Sequence, residues 1–273
     1  MNQEVFAAVT EALDLGEPVA LVTIVSTTGS TPQRVGAKML VFSDGRTVGT
    51  IGGGCYEHDA QGKAREALIH RRPQLVHYEL DDDFAQETGL ICGGQMSVYI
   101  EPIEPSPELY VIGAGHVGFH LAQLAHEVGF RVHVVDDREK FASLERFPHA
   151  VEVVAEHIPD WLGRSTLPPH AYVVVVTRGH TNDLDAMRAL APRDLRYLGL
   201  IGSRAKVARI WDTLIAEGVA PATLSQVHAP IGLDIGAVSP QEIAVSILAE
   251  LISVKHGKVQ GRDAAALSMK WQR

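Results

Sequence analysis

The sequence predicts an α/β protein in two parts, an N-terminal α+β domain followed by a doubly wound parallel-sheet domain. Three observations predict it. Short apolar segments alternate with helical patterns through the second half, and Tyr172 to Val176 is apolar throughout, as a strand covered on both faces requires. A glycine-rich turn, Gly113-Ala114-Gly115-His116-Val117-Gly118, joins a strand pattern to a helix pattern. Glu104-Pro105-Ser106-Pro107 places two prolines within four residues, which stops regular structure on both sides. That linker divides the chain into residues 1–104 and 108–257, with a polar tail at 258–273.

The first domain opens on an amphipathic helix. Val5, Ala8, Val9, Ala12 and Leu13 recur at helical spacing, and Gly16 with Pro18 ends it. Val19 to Val25 reads as a buried strand. Lys38 to Phe42 and Thr47 to Ile51 read as two strands joined through Ser43-Asp44-Gly45. A helix is expected over Gln61 to Ile69, and strands over Gln74 to Leu80 and Met96 to Glu101. Three loops stand out: Thr28 to Lys38, Gly52-Gly53-Gly54-Cys55, and Cys92-Gly93-Gly94. Consecutive glycines lower folded stability, so positive φ or a close backbone approach must require them. Gly52-Gly53-Gly54-Cys55 reads two ways. It is either a nest of N–H groups for an anion, with Cys55 activated at a helix start, or a tight turn beside an inert buried cysteine. Asp81-Asp82-Asp83 lacks the spaced ligands of a calcium loop and reads as a solvated surface.

In the second domain Leu109 to Ile112 is a strand, His116 to Val128 a helix closed by Gly129, and Arg131 to Val135 the next strand. That strand ends in Asp136-Asp137-Arg138, and Asp136 lies 23 residues after Gly113. Gly113, Gly115 and Gly118 with the later acid are the fingerprint of a Rossmann-like fold, in which phosphates sit at the helix start. Further strands are expected at Val151 to Val154, Tyr172 to Val176 and Tyr197 to Ile201. Ligands of such sheets bind outside the carboxyl ends of the strands. There the chain places His116, then Asp136, Asp137 and Arg138, then Arg178, Gly179 and His180, then Gly202, Ser203 and Arg204, with Lys206 nearby. Together these read as the lining of a cleft for an anionic ligand. The apolar, glycine-containing segment His228 to Val238 precedes a helix with Ser239 as cap, Pro240 in the first turn and Glu242 completing a capping box. Its wide apolar stripe serves a core or a second copy of the chain.

Composition sets limits. The 24 basic and 33 acidic residues give a net charge of −9, which disfavours nucleic acid. The first 106 residues carry 15 acids against 7 bases, so the acidity belongs mainly to the first domain. No apolar run reaches the ~20 residues of a membrane span. Two cysteines do not make a disulfide framework, and no base precedes Arg34 as in a signal peptide, so a cytoplasmic setting is expected.

These motifs together resemble the XdhC/CoxI family, the xanthine dehydrogenase accessory proteins. The matching stretches are GSTPQRVGAKMLV, GTIGGGCYEHDA, ICGGQMSVYIEP, VIGAGHVG, VVDDRE with Arg146-Phe147-Pro148, VVVTRGHTND, LGLIGSRAKV and APIGLDIGAVSPQEIAVSILAEL. The resemblance implies a maturation factor rather than an enzyme. Such a factor binds the molybdenum cofactor, a pyranopterin dithiolene (molybdopterin) with a terminal phosphate. It guards the cofactor while a separate cysteine desulfurase supplies the sulfido ligand, and delivers it to a molybdenum hydroxylase apo-enzyme. Gly52, Gly53, Gly54, Cys55 and Cys92 then join the second-domain residues as candidates for holding the cofactor. Cys55 is the preferred contact for the metal. A homodimer is expected. The rival reading is an NAD(P)-dependent oxidoreductase, with Asp136 on the adenosine ribose.

Overall fold

A computed structural model describes residues 2–80, 94–168 and 170–257, and of His180 and Thr181 the backbone. The chain forms two compact units, Met1–Ser106 and Pro107–Arg273. Asp81 to Asp83, Cys92 and the tail from Lys258 lie outside the described residues.

The first unit runs α1 (Asn2–Asp14), β1 (Val19–Thr28), β2 (Lys38–Phe42), β3 (Thr47–Gly49), α2 (Gly54–His70), β4 (Gln74–Leu80) and β5 (Gly94–Ile103). Its strands form one antiparallel sheet in the order β3-β2-β1-β5-β4. Alternation along β1 and β2 sorts side chains to the two faces. Val19, Leu21, Leu40 and Phe42 meet Val5 and Ala12 of α1. Ala20, Val22, Met39 and Val41 join Val98 and Ile100 beneath α2. Helix α2 offers Ala60, Ala64 and Ala67 to that core, one small residue per turn, so its backbone lies close to the sheet. The β2–β3 turn closes through a Phe42–Arg46 N–H···O bond of 2.9 Å, with Gly45 at φ 92°.

Strands β1 and β5 run two or three residues beyond the sequence reading, and two further elements depart from it in ways that bear on the loops. Helix α2 starts at Gly54 instead of Gln61, because Glu57 organises the glycines into a helix start. Strand β3 stops at Gly49, and Ile51 turns inward to a fully buried position.

The second unit runs β6 (Glu108–Ile112), α3 (His116–Glu127), β7 (Arg131–Asp136), β8 (Glu152–Ala155), α4 (Ile158–Arg164), β9 (Tyr172–Val175), α5 (His180–Leu190), β10 (Tyr197–Leu200), α6 (Arg204–Ala216), α7 (Pro221–Leu224) and α8 (Pro240–Lys255). All pairs of its sheet are parallel, in the order β10-β9-β6-β7-β8. This is the doubly wound arrangement, with the order reversing between β6 and β9. His228 adds a parallel bridge to Gly199, so the segment 227–231 runs beside β10 as a rudimentary further strand.

Both faces of this sheet are covered. Leu109, Val111, Val132, Val134 and Val174 pack against Leu121 and Ala125 of α3 and Ile247 and Leu251 of α8. Ile112, Val135, Val173, Val175 and Leu200 pack against Trp161, Met187, Leu190, Ile210 and Leu214. Burying each such side chain contributes about 1.5–3 kcal/mol before chain entropy is charged. The stripe of α8 is therefore core, packed on α3 of the same chain. Its capping box is formed: Ser239 Oγ accepts from the Glu242 N–H at 3.3 Å, and Glu242 Oε2 accepts from the Ser239 N–H at 2.8 Å.

Candidate functional site

The carboxyl edge of the parallel sheet gathers the loops that the sequence singles out in the second half. Each of the three fingerprint glycines has its own physical situation. Gly113 lies at φ 116°, and a Cβ there would stand 2.6 Å from the Val176 carbonyl oxygen. A Cβ on Gly118 would stand 1.9 Å from the Gly113 carbonyl oxygen, so only glycine lets α3 pack this tightly on β6. Gly115 is different. Its φ is −68°, open to any residue, and a Cβ there would meet nothing within 4 Å. Nothing in the chain's own packing requires glycine at 115. The position suits a ligand that approaches the backbone.

Gly115 is also the N-cap of α3, and among the described residues no side chain caps the first-turn N–H groups. Gly179, at φ 104°, is the N-cap of α5, likewise without a side chain of its own to cap the helix and with open space around the missing Cβ. Two helix starts at one sheet edge thus present orphan N–H groups and positive dipole ends. Helix α6 differs, since Ser203 Oγ accepts from the Lys206 N–H at 3.2 Å. Gly202 packs beside the Lys206 stem, which would lie 3.1 Å from a Cβ added there. His116, Asp137, Arg178 and Arg204 are exposed along these loops, and the His180 side chain lies outside the described atoms.

Asp136 is spent within the protein. Its Oδ1 accepts from the Arg138 N–H (3.0 Å) and Nε (2.8 Å). Its Oδ2 accepts from the Ala114 N–H (2.7 Å) and Arg138 Nη2 (2.8 Å). Four donors fill the four lone-pair sites of a carboxylate that is only 2% exposed. Burial pushes this carboxyl up, but the bonds from Arg138 and the Ala114 N–H outweigh it and hold it below the ordinary carboxylate range. A dinucleotide ribose would have to displace Arg138. Arg138 itself lies over the Phe141 ring at 3.8 Å.

Two buried acids that the sequence reading passes over organise the rest of the edge. Asp183, fully buried in the first turns of α5, accepts from the Thr177 hydroxyl and pairs with Lys206. It ties the loops after β9 and β10 together and takes up the charge of Lys206. Glu250 on α8 is 1% exposed. It accepts from the Tyr197 hydroxyl (2.6 Å) and the Gly232 N–H (2.8 Å), and lies 2.9 Å from His228 Nδ1. Burial, with Glu250 beside it, raises the Tyr197 phenol well above its usual value. The signals were present: a first-turn acid after TRGH, and a lone acid inside the apolar stripe of α8.

In the first unit the three loops named from sequence meet where they are described. A Cβ on Gly52, at φ 130°, would strike the Pro32 ring at 2.6 Å. One on Gly94 would strike the Ser30 and Thr28 carbonyl oxygens at 2.3 and 2.6 Å. The glycine run does form an anion nest, but its anion is internal. Glu57 Oε2 accepts from the Ile51 and Gly53 N–H groups, both at 3.0 Å, and from the Thr50 hydroxyl. The Gly52 N–H donates to Thr50 Oγ1 at 3.0 Å. Burial raises the Glu57 carboxyl, and these bonds more than reverse it, leaving a lowered pKa. Gly53 and Gly54, at φ 76° and 71°, remain at the start of α2, with the half-buried thiol of Cys55 in its first turn. Among the described residues no three His, Cys, Asp or Glu side chains group as a metal site. No helix among them is long and apolar enough to cross a membrane.

Comparison with known proteins fits both units. The model of the XdhC Rossmann domain matches residues 109–251, and that of the XdhC and CoxI family residues 12–79. The chain is 39% identical over 256 residues to the uncharacterized protein YqeB of Escherichia coli K12, matching 92% of this chain and 47% of that one. It therefore spans about half the length of that relative. It is 26% identical to a probable xanthine dehydrogenase subunit of Bacillus subtilis, over 88% of this chain and 94% of that one. It is also 26% identical to the molybdenum cofactor insertion chaperone PaoD of E. coli K12, over 90% and 86%. A crystal structure of a xanthine dehydrogenase from Bacillus halodurans matches with TM-score 0.52 and 25% identity, covering 93% of this chain and 96% of that one.

Proposed function

This chain belongs to the XdhC and CoxI family, and on that premise we propose that it is an accessory protein of molybdenum hydroxylases. It binds the molybdenum cofactor, protects it while a cysteine desulfurase sulfurates it, and helps to insert it into a xanthine dehydrogenase or related apo-enzyme. Names of two relatives, a molybdenum cofactor insertion chaperone and a probable xanthine dehydrogenase subunit, support the reading.

The single observation that carries it is Gly115. It is an uncapped helix start with open space where a side chain would be, and no backbone strain explains the glycine. A terminal phosphate suits such a start, since orphan N–H groups and the helix dipole both favour an anion. Gly179 at the start of α5 supplies a second set of donors, and exposed Arg178 and Arg204 supply positive charge nearby. Gly113 and Gly118 hold the loop's shape; Asp136 and Arg138 brace it through the Ala114 N–H. Cys55 is the residue proposed to meet the metal or its sulfur ligands, with a soft donor suited to molybdenum. Gly52, Gly53 and Gly54 present it, and Glu57 fixes their backbone.

The test is metal analysis and mass spectrometry of ligand co-purified with the full chain from a cofactor-producing host. Molybdenum and pterin are expected with the unaltered protein and lost with Gly115→Ala, while both proteins melt alike. A chain that emerges free of pterin, or a Gly115→Ala variant that retains it fully, defeats the reading. Cys55→Ala should keep the pterin phosphate bound but shorten the lifetime of the sulfurated form.

A further inference from the structure

A cavity of about 260 Å³ opens on the second unit, away from any role assigned above. Phe119 and Ala122 of α3 and Phe147 give it an apolar floor, while Gln123, Arg146 and His149 line it with polar groups. Its size is just under the ~300 Å³ at which small-molecule sites begin, and apolar walls with a few polar groups are their usual make-up. Phe119 and Phe147 meet edge to face at 5.7 Å.

Arg146 is the informative residue. Its Nη1 donates to the carbonyl oxygens of Ala114 (3.0 Å) and Phe141 (2.7 Å). Three rings surround its guanidinium, those of Phe119, Phe141 and Phe147, at 5.1–5.4 Å. Nε and Nη2 meet no acceptor among the described residues, and no carboxylate there pairs with the charge. Glu145, also on the rim, is exposed and forms no ion pair with it. A guanidinium held among aromatic rings, with one edge fixed and the other unused, matches a carboxylate that takes two parallel hydrogen bonds. The floor matches a flat apolar body.

We infer that this cavity is a second ligand site, for a small aromatic carboxylate bound through the free edge of Arg146. Because Arg146 also holds the Ala114 carbonyl, an occupant there steadies the turn that presents Gly115. The two sites are thereby linked through one side chain.

The test is calorimetric titration of the full chain with benzoate, and with benzamide and benzylamine as neutral and cationic partners of the same shape. Benzoate is expected to saturate the protein with an affinity in the roughly millimolar range set by its size, and the other two to bind at least about tenfold more weakly. Ala122→Leu, which fills the floor and leaves Arg146 in place, should abolish benzoate binding; Arg146→Lys, which keeps the charge and loses the fork, should weaken it about tenfold. Failure of benzoate to saturate, equal binding of the three probes, or equal binding by the unaltered and Ala122→Leu chains each overturns the site. The three-probe comparison uses only the unaltered chain, so it decides the question even if a variant fails to fold.

Discussion

Two strand–glycine–helix turns in this molecule use glycine for different reasons. After β3 the run Gly52-Gly53-Gly54 lies wholly at positive φ and turns the Ile51 and Gly53 N–H groups onto Glu57, a carboxylate from its own helix. After β6 the run Gly113-Ala114-Gly115 spends one N–H on Asp136 and leaves the start of α3 uncapped. The start of α2 at Gly53 lacks a side-chain cap as well, so the turns differ in what requires their glycines: positive φ in the first, and nothing in the chain's own packing at Gly115 in the second. A glycine-rich loop before a helix is therefore not enough to infer an anion site. What separates the two turns is whether the chain's own backbone conformation already requires the glycine.

Substitutions can break or sharpen this contrast. The largest effect is expected at Gly118→Ala, whose Cβ would lie 1.9 Å from a backbone oxygen. Separation of α3 from β6 should lower unfolding free energy by about 3 kcal/mol or more in urea titrations. A loss under 1 kcal/mol would mean that the close approach is not needed. Next comes Asp136→Asn, which removes charge from a carboxylate that holds Arg138 and the Ala114 N–H. A loss of about 2–3 kcal/mol is expected at neutral pH.

The same residue sets an acid dependence. Asp136 and Glu57 both have lowered pKa values when folded. Their stabilisation is complete above the ordinary carboxylate pKa near ~4 and is lost as pH falls through the folded values. Asp136→Asn and Glu57→Gln should each flatten the fall in stability below about pH 4, the former more. Unchanged acid curves in both would remove the case that these acids carry the loops. At neutral pH Glu57→Gln should cost only about 1 kcal/mol, because its site is partly open to water. The smallest stability effect is expected at Gly115→Ala, within about 0.5 kcal/mol of the unaltered chain, since the site has room and an ordinary φ. Its effect should fall on ligand retention alone, and a marked loss of stability there would erase the distinction between the two turns.

The parallel sheet was legible in the sequence because its signals are local. Tyr172 to Val176 needs no partner to announce a strand covered on both faces, and Ser239, Pro240 and Glu242 cap α8 within four residues of one another. The start of α2 was not legible from apolar periodicity. Its first turn is glycine, cysteine and tyrosine, and what makes it helical is Glu57 reaching back to Ile51 and Gly53. Glu250 was hidden for a related reason. Its partners Tyr197, His228 and Gly232 come from segments 18 to 53 residues away, so no spacing rule points to them. Asp183 reads from sequence as one polar residue in TRGHTND, and only the fold reveals Lys206 beside it. The candidate ligand residues at the carboxyl edge could be named from motif order; which N–H groups are free could not.

The position of Glu250 has a consequence for the life of the polypeptide. The loop from His228 to Gly232 flanks the outer end of the parallel sheet, and its anchor lies on the last described helix. A ribosome that has made residues 107 to 230 has released every motif of the glycine fingerprint, yet the clasp for that loop is still unsynthesised. Since domains fold as units during synthesis, the edge is finished only when α8 emerges. A chain cut before Glu250 would keep its glycine turn and lose the wall beside it. Completion of that edge is thereby deferred until the whole unit has left the ribosome.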